Sequence, residues 1–296
     1  MATITKDAAS DLFRSPPGRF LDVGAGEVAH RQVGQGPDVL FVHGWPVSGA
    51  TFRLLLPHLA DYVTCHVIDL PGAGQSRFDA DTPITVEQHI KTVRRVVDLL
   101  GLERLAVIGH DSGGMFARHA LAGDARVSTM GLIDTEQLSI GWRFRTLVAA
   151  QHLPGLAAGL GWAAGVPRVR RNQFVFGGAF SDRRLLEGEF DEFFLRPLRE
   201  SALHRAAAAT LLKSFDLDTV RSLREVHPRI TALVHLVWGE RDVFFPPAAA
   251  REMVTSFPDA RLDVIPGAGL FSHEERPADV AAALLPTLTG AGSVES

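Results

Sequence analysis

Short runs rich in Val, Ile and Leu recur along the chain, and helix-like stretches separate most of them. PDVLFVHG, VTCHVIDL, LAVIGHD, MGLIDT, TALVHLVWGE and RLDVIPG have the length and β-branched content of buried strands. Between them, TFRLLLPHLAD has helical spacing and VEQHIKTVRRVVDLLGL reads as an amphipathic helix. FLDVGAGEVAHRQVG, near the start, has the alternation of a β-hairpin. Strands of this kind, joined by helices, need both faces covered. They predict an α/β fold with a mostly parallel central sheet and helices on both faces.

The alternation stops between about Gln137 and Leu223, where the sequence is helix-prone and broken at Gly165-Val166-Pro167 and at Gly177-Gly178. Residues 137–223 are therefore expected to form an inserted helical cap, with 1–136 and 224–296 forming the core. Open α/β sheets bind ligands at the carboxyl ends of their strands, so a cap there would wall a pocket. The tail TGAGSVES is small and polar and is expected to fray.

The formal net charge of -4 comes without a block of like charge, which argues against a nucleic-acid partner. Cys65 is the single cysteine, so neither an intrachain disulfide nor a thiolate metal cluster is possible; in YVTCHVIDL it is expected to be buried. The first twenty residues lack the charged-then-apolar order of a secretory signal, and no run of about 18 apolar residues suggests a membrane span. A cytoplasmic protein with no membrane partner is the expectation. The histidines form no close pair at ligand spacing, PGAGQS is a poor phosphate cradle, and no cofactor is expected.

Gly109-His110-Asp111-Ser112-Gly113-Gly114 lies between the strand LAVI and the helix-like MFARHALAG. A strand-to-helix turn this tight strains its apex and needs small neighbours; its familiar form, G-x-S-x-G, carries a serine there. Here the apex is Asp111. An aspartate could also simply cap the next helix, and Ser112 could be a serine nucleophile displaced by one position.

With HGWP (His43 to Pro46), DLPGAGQS (Asp69 to Ser76), GHDSGG and WGERD (Trp238 to Asp242) in this order, the chain resembles the α/β-hydrolase superfamily. It is most similar to the aspartate-nucleophile branch of epoxide hydrolases and haloalkane or haloacetate dehalogenases. The resemblance implies that Asp111 attacks an sp³ carbon to form an alkyl ester, which water then cleaves. It implies that Trp45 and Ser112 supply the anion-holding N–H groups, and that Asp242 is the acid orienting a histidine base. Asp134 and Glu136 offer a second acid position.

The expected base is missing from its place. Where the family reads G-x-G-H-F, this chain reads Gly267-Ala268-Gly269-Leu270-Phe271, and leucine can neither take nor give a proton. His273, three positions on, is a candidate base after a loop shift, with a surface or capping contact as the alternative.

The cap holds no tyrosine to protonate an epoxide oxygen; the substitutes are Trp142, Trp162, His152 and His204, each of which could instead be packing. Phe174, Phe176, Phe180, Phe190, Phe193 and Phe194 make this region apolar, which suggests a small to medium apolar substrate. Arg168, Arg170 and Arg171 could bind an anion or form a solvated face. The leading expectation is a hydrolase acting through Asp111. A non-hydrolytic lyase, cyclase or ligand-binding protein stands second because of Leu270, and a purely structural module is a weaker third.

Overall fold

The computed structural model describes residues 4–290, apart from the side chain of His152. The segment 291–296, most of the tail expected to fray, lies outside the described residues. Eight strands form one sheet: β1 (Arg19–Asp22), β2 (Glu27–Gly34), β3 (Asp38–Val42), β4 (Thr64–Asp69), β5 (Leu105–His110), β6 (Val127–Ile133), β7 (Leu233–Gly239) and β8 (Ala260–Ile265). Their order is β1-β2-β4-β3-β5-β6-β7-β8. The β1–β2 and β2–β4 pairs are antiparallel, and all later pairs are parallel.

Strands β4 and β5 are buried at every residue, which is why their sequences show no strict apolar–polar alternation. Cys65 packs there, fully buried. The predicted helix appears as Val86–Leu100: the Thr85 hydroxyl caps it from Gln88 N–H at 3.1 Å, and Gly101, at φ 67°, ends it in the left-handed region. TFRLLLPHLAD yields less helix than its spacing suggests, only a 3₁₀ turn at Gly49–Phe52 and one turn at Leu56–Leu59. The helix Lys6–Arg14 was not anticipated; Ala9 and Phe13 bury its apolar face.

Among the described residues, the connection from β6 to β7 contains helices and no strand. The two sequence breaks fall where expected: one helix ends at Gly165 before another starts at Pro167, and Phe176–Gly178 is a 3₁₀ turn. Arg53 ties this insertion to the core, reaching Glu189 at 3.0 Å and Glu274 at 2.6 Å. The expected solvated arginine face is only partly present. Arg170 is buried and bonds Asp191 at 2.6 Å, Arg171 pairs with Glu187, and Arg168 is exposed.

Candidate active site

Strand β5 runs into the helix Ser112–Leu121 through a single residue, Asp111, at φ 50° and ψ -136°. That backbone costs a non-glycine residue on the order of 1–3 kcal/mol and persists only where the surroundings impose it. They do so here by contact. A Cβ at Gly113 would strike Val42 O, and one at Gly44 would strike the Asp111 carboxyl. Small residues at these positions let the β3 loop lie directly against the turn.

That contact positions the carboxyl. The Trp45 backbone N–H donates to Asp111 Oδ2 at 2.9 Å, and the backbone N–H of Ser112 also holds the carboxylate. The two donors named from the sequence are thus both present. Ser112 itself is fully buried; its hydroxyl accepts from Trp45 N–H at 3.0 Å and donates to Asp111 Oδ2 at 3.3 Å. It supports the carboxyl and does not line the cavity. The Trp45 indole N–H meanwhile donates to Ala208 O in the insertion, at 2.9 Å.

Asp111 is part of the wall of a cavity of about 430 Å³ that is otherwise largely apolar. The core contributes Trp45, Phe244, Phe245 and Leu270, while the insertion contributes residues from Trp142 to Phe215. Three of the predicted insertion residues, Trp142, Phe174 and Phe176, line it. Trp142 and Phe174 stand at its rim, 62% and 66% exposed, with the Arg143 guanidinium 4.9 Å and 5.2 Å from their ring centres. Trp162 is equally exposed but does not line the cavity, and His204 lies elsewhere, its Nδ1 bonded to Ser201. The side chain of His152 lies outside the described residues.

Glu136 is the one other carboxyl in the cavity wall among the described residues. It is fully buried; its Oε2 accepts from Thr135 Oγ1 at 2.9 Å and lies 4.0 Å from Arg118. Its Oε1 has no partner. Burial raises the pKa of Glu136, against the pull of Arg118. Burial, then the Glu136 charge, holds Asp111 well above the ordinary carboxylate range despite its N–H donors.

Asp242 follows β7 as predicted and is buried. Its Oδ1 accepts from Phe244 N–H at 2.8 Å and Phe245 N–H at 3.0 Å, but its Oδ2 has no partner. Burial pushes its pKa up to about 7. The loop bearing Leu270 lies alongside, with Arg241 N–H donating to Ala268 O at 2.8 Å. Leu270 faces the cavity, so the place of a base is filled by a hydrocarbon. Asp134, at φ 41°, is committed elsewhere: it accepts from Gly239 N–H at 2.6 Å and from the Ser272 hydroxyl.

The structure does not bring His273 to this cavity. It is fully buried rather than at a surface or cap; its Nε2 is 2.8 Å from Thr51 Oγ1, and its ring lies 4.3 Å from that of His110. Burial first, then His110 and Arg53, hold its pKa well below the usual imidazole value. No close grouping of His, Cys, Asp or Glu able to hold a metal ion occurs among the described residues, and no helix there is long and apolar enough to cross a membrane.

Comparison with known proteins agrees with this architecture. Residues 39–283 match the alpha/beta hydrolase family. A pimeloyl-[acyl-carrier protein] methyl ester esterase of Chromobacterium violaceum is 30% identical over 257 residues, covering 82% of this chain and 92% of that protein. Among solved structures, an alpha/beta hydrolase fold protein from Burkholderia ambifaria superposes with a TM-score of 0.76 at 22% identity, over 92% of this chain and 98% of that one. The epoxide hydrolase CorEH gives 0.75 at 18% identity, over the same shares of 92% and 98%. The extent of the family match and the esterase relative together establish that this chain belongs to the alpha/beta hydrolase family and is a hydrolase.

Proposed function

We propose that the protein hydrolyses small to medium apolar substrates by way of an alkyl ester on Asp111, as epoxide hydrolases and haloalkane dehalogenases do. The observation that carries this reading is the Asp111 carboxyl itself. It sits on an enforced turn, with Oδ2 held by Trp45 N–H at 2.9 Å, in the wall of an apolar cavity of about 430 Å³. An ionised carboxylate needs no base to attack an sp³ carbon, and a dry wall strips it of competing water. In this reading Oδ1 displaces a halide or opens an epoxide, and the helical insertion, residues 137–223, is the cap that sizes the substrate.

The esterase relative raises the question of ester cleavage by a serine. The residue next to the apex does not support it, since the Ser112 hydroxyl is buried and engaged with Trp45 and Asp111. A second reading, arrest at the covalent ester, draws on Leu270 and on the partnerless Asp242 Oδ2.

The test is intact mass and product analysis after incubation with a 1-bromoalkane and with a 1,2-epoxyalkane. Alcohol or diol should form, and Asp111→Asn should give neither product nor adduct. A persistent adduct in the unaltered protein would favour arrest. Full turnover by Asp111→Asn would overturn the proposal.

A further inference from the structure

The Asp111 reading needs two proton movements that no residue so far supplies. An epoxide oxygen must gain a proton when its ring opens, and the water that cleaves the ester must lose one. The cap has no tyrosine for the first, and with Leu270 in the cavity wall and His273 outside it no histidine lines the cavity for the second.

Glu136 is the other carboxyl of the cavity wall among the described residues, and the chemistry of a carboxyl suits both. Its Oε2 is occupied. Thr135 Oγ1 lies 2.9 Å from that Oε2 and 2.7 Å from Asp111 O, so its single proton serves one of these two acceptors at a time. Arg118 Nη2 donates to that same hydroxyl at 2.9 Å, which fixes its orientation. Oε1 is left over, buried and unpartnered, in the one carboxyl that accompanies Asp111 around the cavity among the described residues. Buried polar atoms are normally paired, and an orphan at a reaction site calls for a role.

We propose that Glu136 is the acid–base residue of this site, giving a proton from Oε1 to the opening epoxide and then taking one from the water that cleaves the Asp111 ester. The inference rests on the Asp111 reading. In the first step Asp111 Oδ1 bonds to carbon, the ring C–O bond breaks, and the new alkoxide takes the Glu136 proton. In the second, water adds to the ester carbon of Asp111 and passes a proton to the Glu136 carboxylate; the resulting oxyanion is held by the N–H groups of Trp45 and Ser112. Collapse expels the alkoxide, which takes the proton of the regenerated Asp111 acid. Asp111 ends ionised, Glu136 ends protonated, and one epoxide and one water have become a diol. The raised pKa values of both carboxyls agree with one proton held between the two.

The two probes separate these roles, because a departing bromide needs no proton. In Glu136→Gln, which removes the neighbouring charge that, after burial, raises the Asp111 pKa, alkylation of Asp111 by a 1-bromoalkane should be at least as fast as in the unaltered protein. The ester should then persist, its hydrolysis slowed by about 10²-fold or more, while alkylation by a 1,2-epoxyalkane should fall by a similar factor. Ester hydrolysis at the unaltered rate would overturn the proposal, as would equal loss of alkylation with both probes, which marks a structural role.

An unaltered protein that reacts with neither probe, or an Asp111→Asn variant that reacts with either, would instead sink the Asp111 reading and this one with it. Should Glu136→Gln fail to fold, the pH profile of ester hydrolysis in Asp242→Asn decides, because Asp242, pushed up to about 7, is the other carboxyl that could give an acid limb there. Asp111 is esterified in that state and Asp134 is tied to Gly239 and Ser272, so the remaining acid limb belongs to Glu136. The rate should fall as pH drops through the raised pKa of Glu136, and a flat profile would overturn the proposal.

Discussion

Leu270 fills the end of the Asp111 cavity and offers it no lone pair, while Asp242 behind it keeps Oδ2 unpartnered. A histidine at 270 would find an acid already in place. In the Glu136→Gln background, where no other base remains, Leu270→His should therefore speed hydrolysis of the Asp111 ester by about 10²–10⁴-fold, read as the decay of the alkylated mass after a 1-bromoalkane pulse. An unchanged decay would show that Asp242 Oδ2 is not aimed at that position. The positions of Asp111, Asp242, Trp45 and Ser112 could be picked out in the sequence, because each lies in a short contiguous motif, while the roles assigned to them came from the resemblance. The fate of His273 was not. It is decided by Thr51 and His110, which only the folded sheet brings near. Glu136 was visible as one of two acids after β6. That Glu136 lines the cavity while Asp134 is bonded to Gly239 and Ser272 is settled by contacts far apart in sequence, which no residue pattern announces.

Element by element, the turn between β5 and the helix Ser112–Leu121 is the least forgiving part of the molecule. Gly113 packs against the backbone of β3 itself, and a carbonyl cannot retreat as a flexible side chain can. Gly113→Ala should cost about 2–4 kcal/mol of stability by urea denaturation and also lower the rate of Asp111 alkylation, because relief of the clash moves Trp45 N–H away from Oδ2. A variant of unaltered stability would show that β3 can shift to accommodate it. The strands were readable because burial on both faces leaves short runs rich in Val, Ile and Leu. The helix Lys6–Arg14 was not anticipated although its pattern is amphipathic, with Ala9 and Phe13 on the buried face.

Over the whole molecule, buried carboxyls and buried histidines set opposing dependences on pH. A carboxyl whose pKa is raised on folding adds stability below its unfolded value and loses it as pH climbs through the folded value. For Asp242 that window runs from the ordinary 3.8 to about 7. The buried His89 and His110, lowered to about 3, act in the opposite sense, their contribution lost as pH falls from 6.5 towards 3. A variant isolates one of them. The Tm of Asp242→Asn, taken relative to the unaltered protein, should rise between pH 4 and pH 8 by several degrees, roughly 2–4 °C per kcal/mol. A pH-independent difference would mean that Asp242 titrates normally.

The indole of Trp45 reaches up to the carbonyl of Ala208 while its own peptide N–H reaches down to Asp111. A single residue therefore spans roof and floor. If the roof lifts to admit a guest, the cradle beneath loses its brace, and it tightens again only on reseating. Loading and readiness would in this way be fastened to one another by one residue, its side chain above and its backbone below.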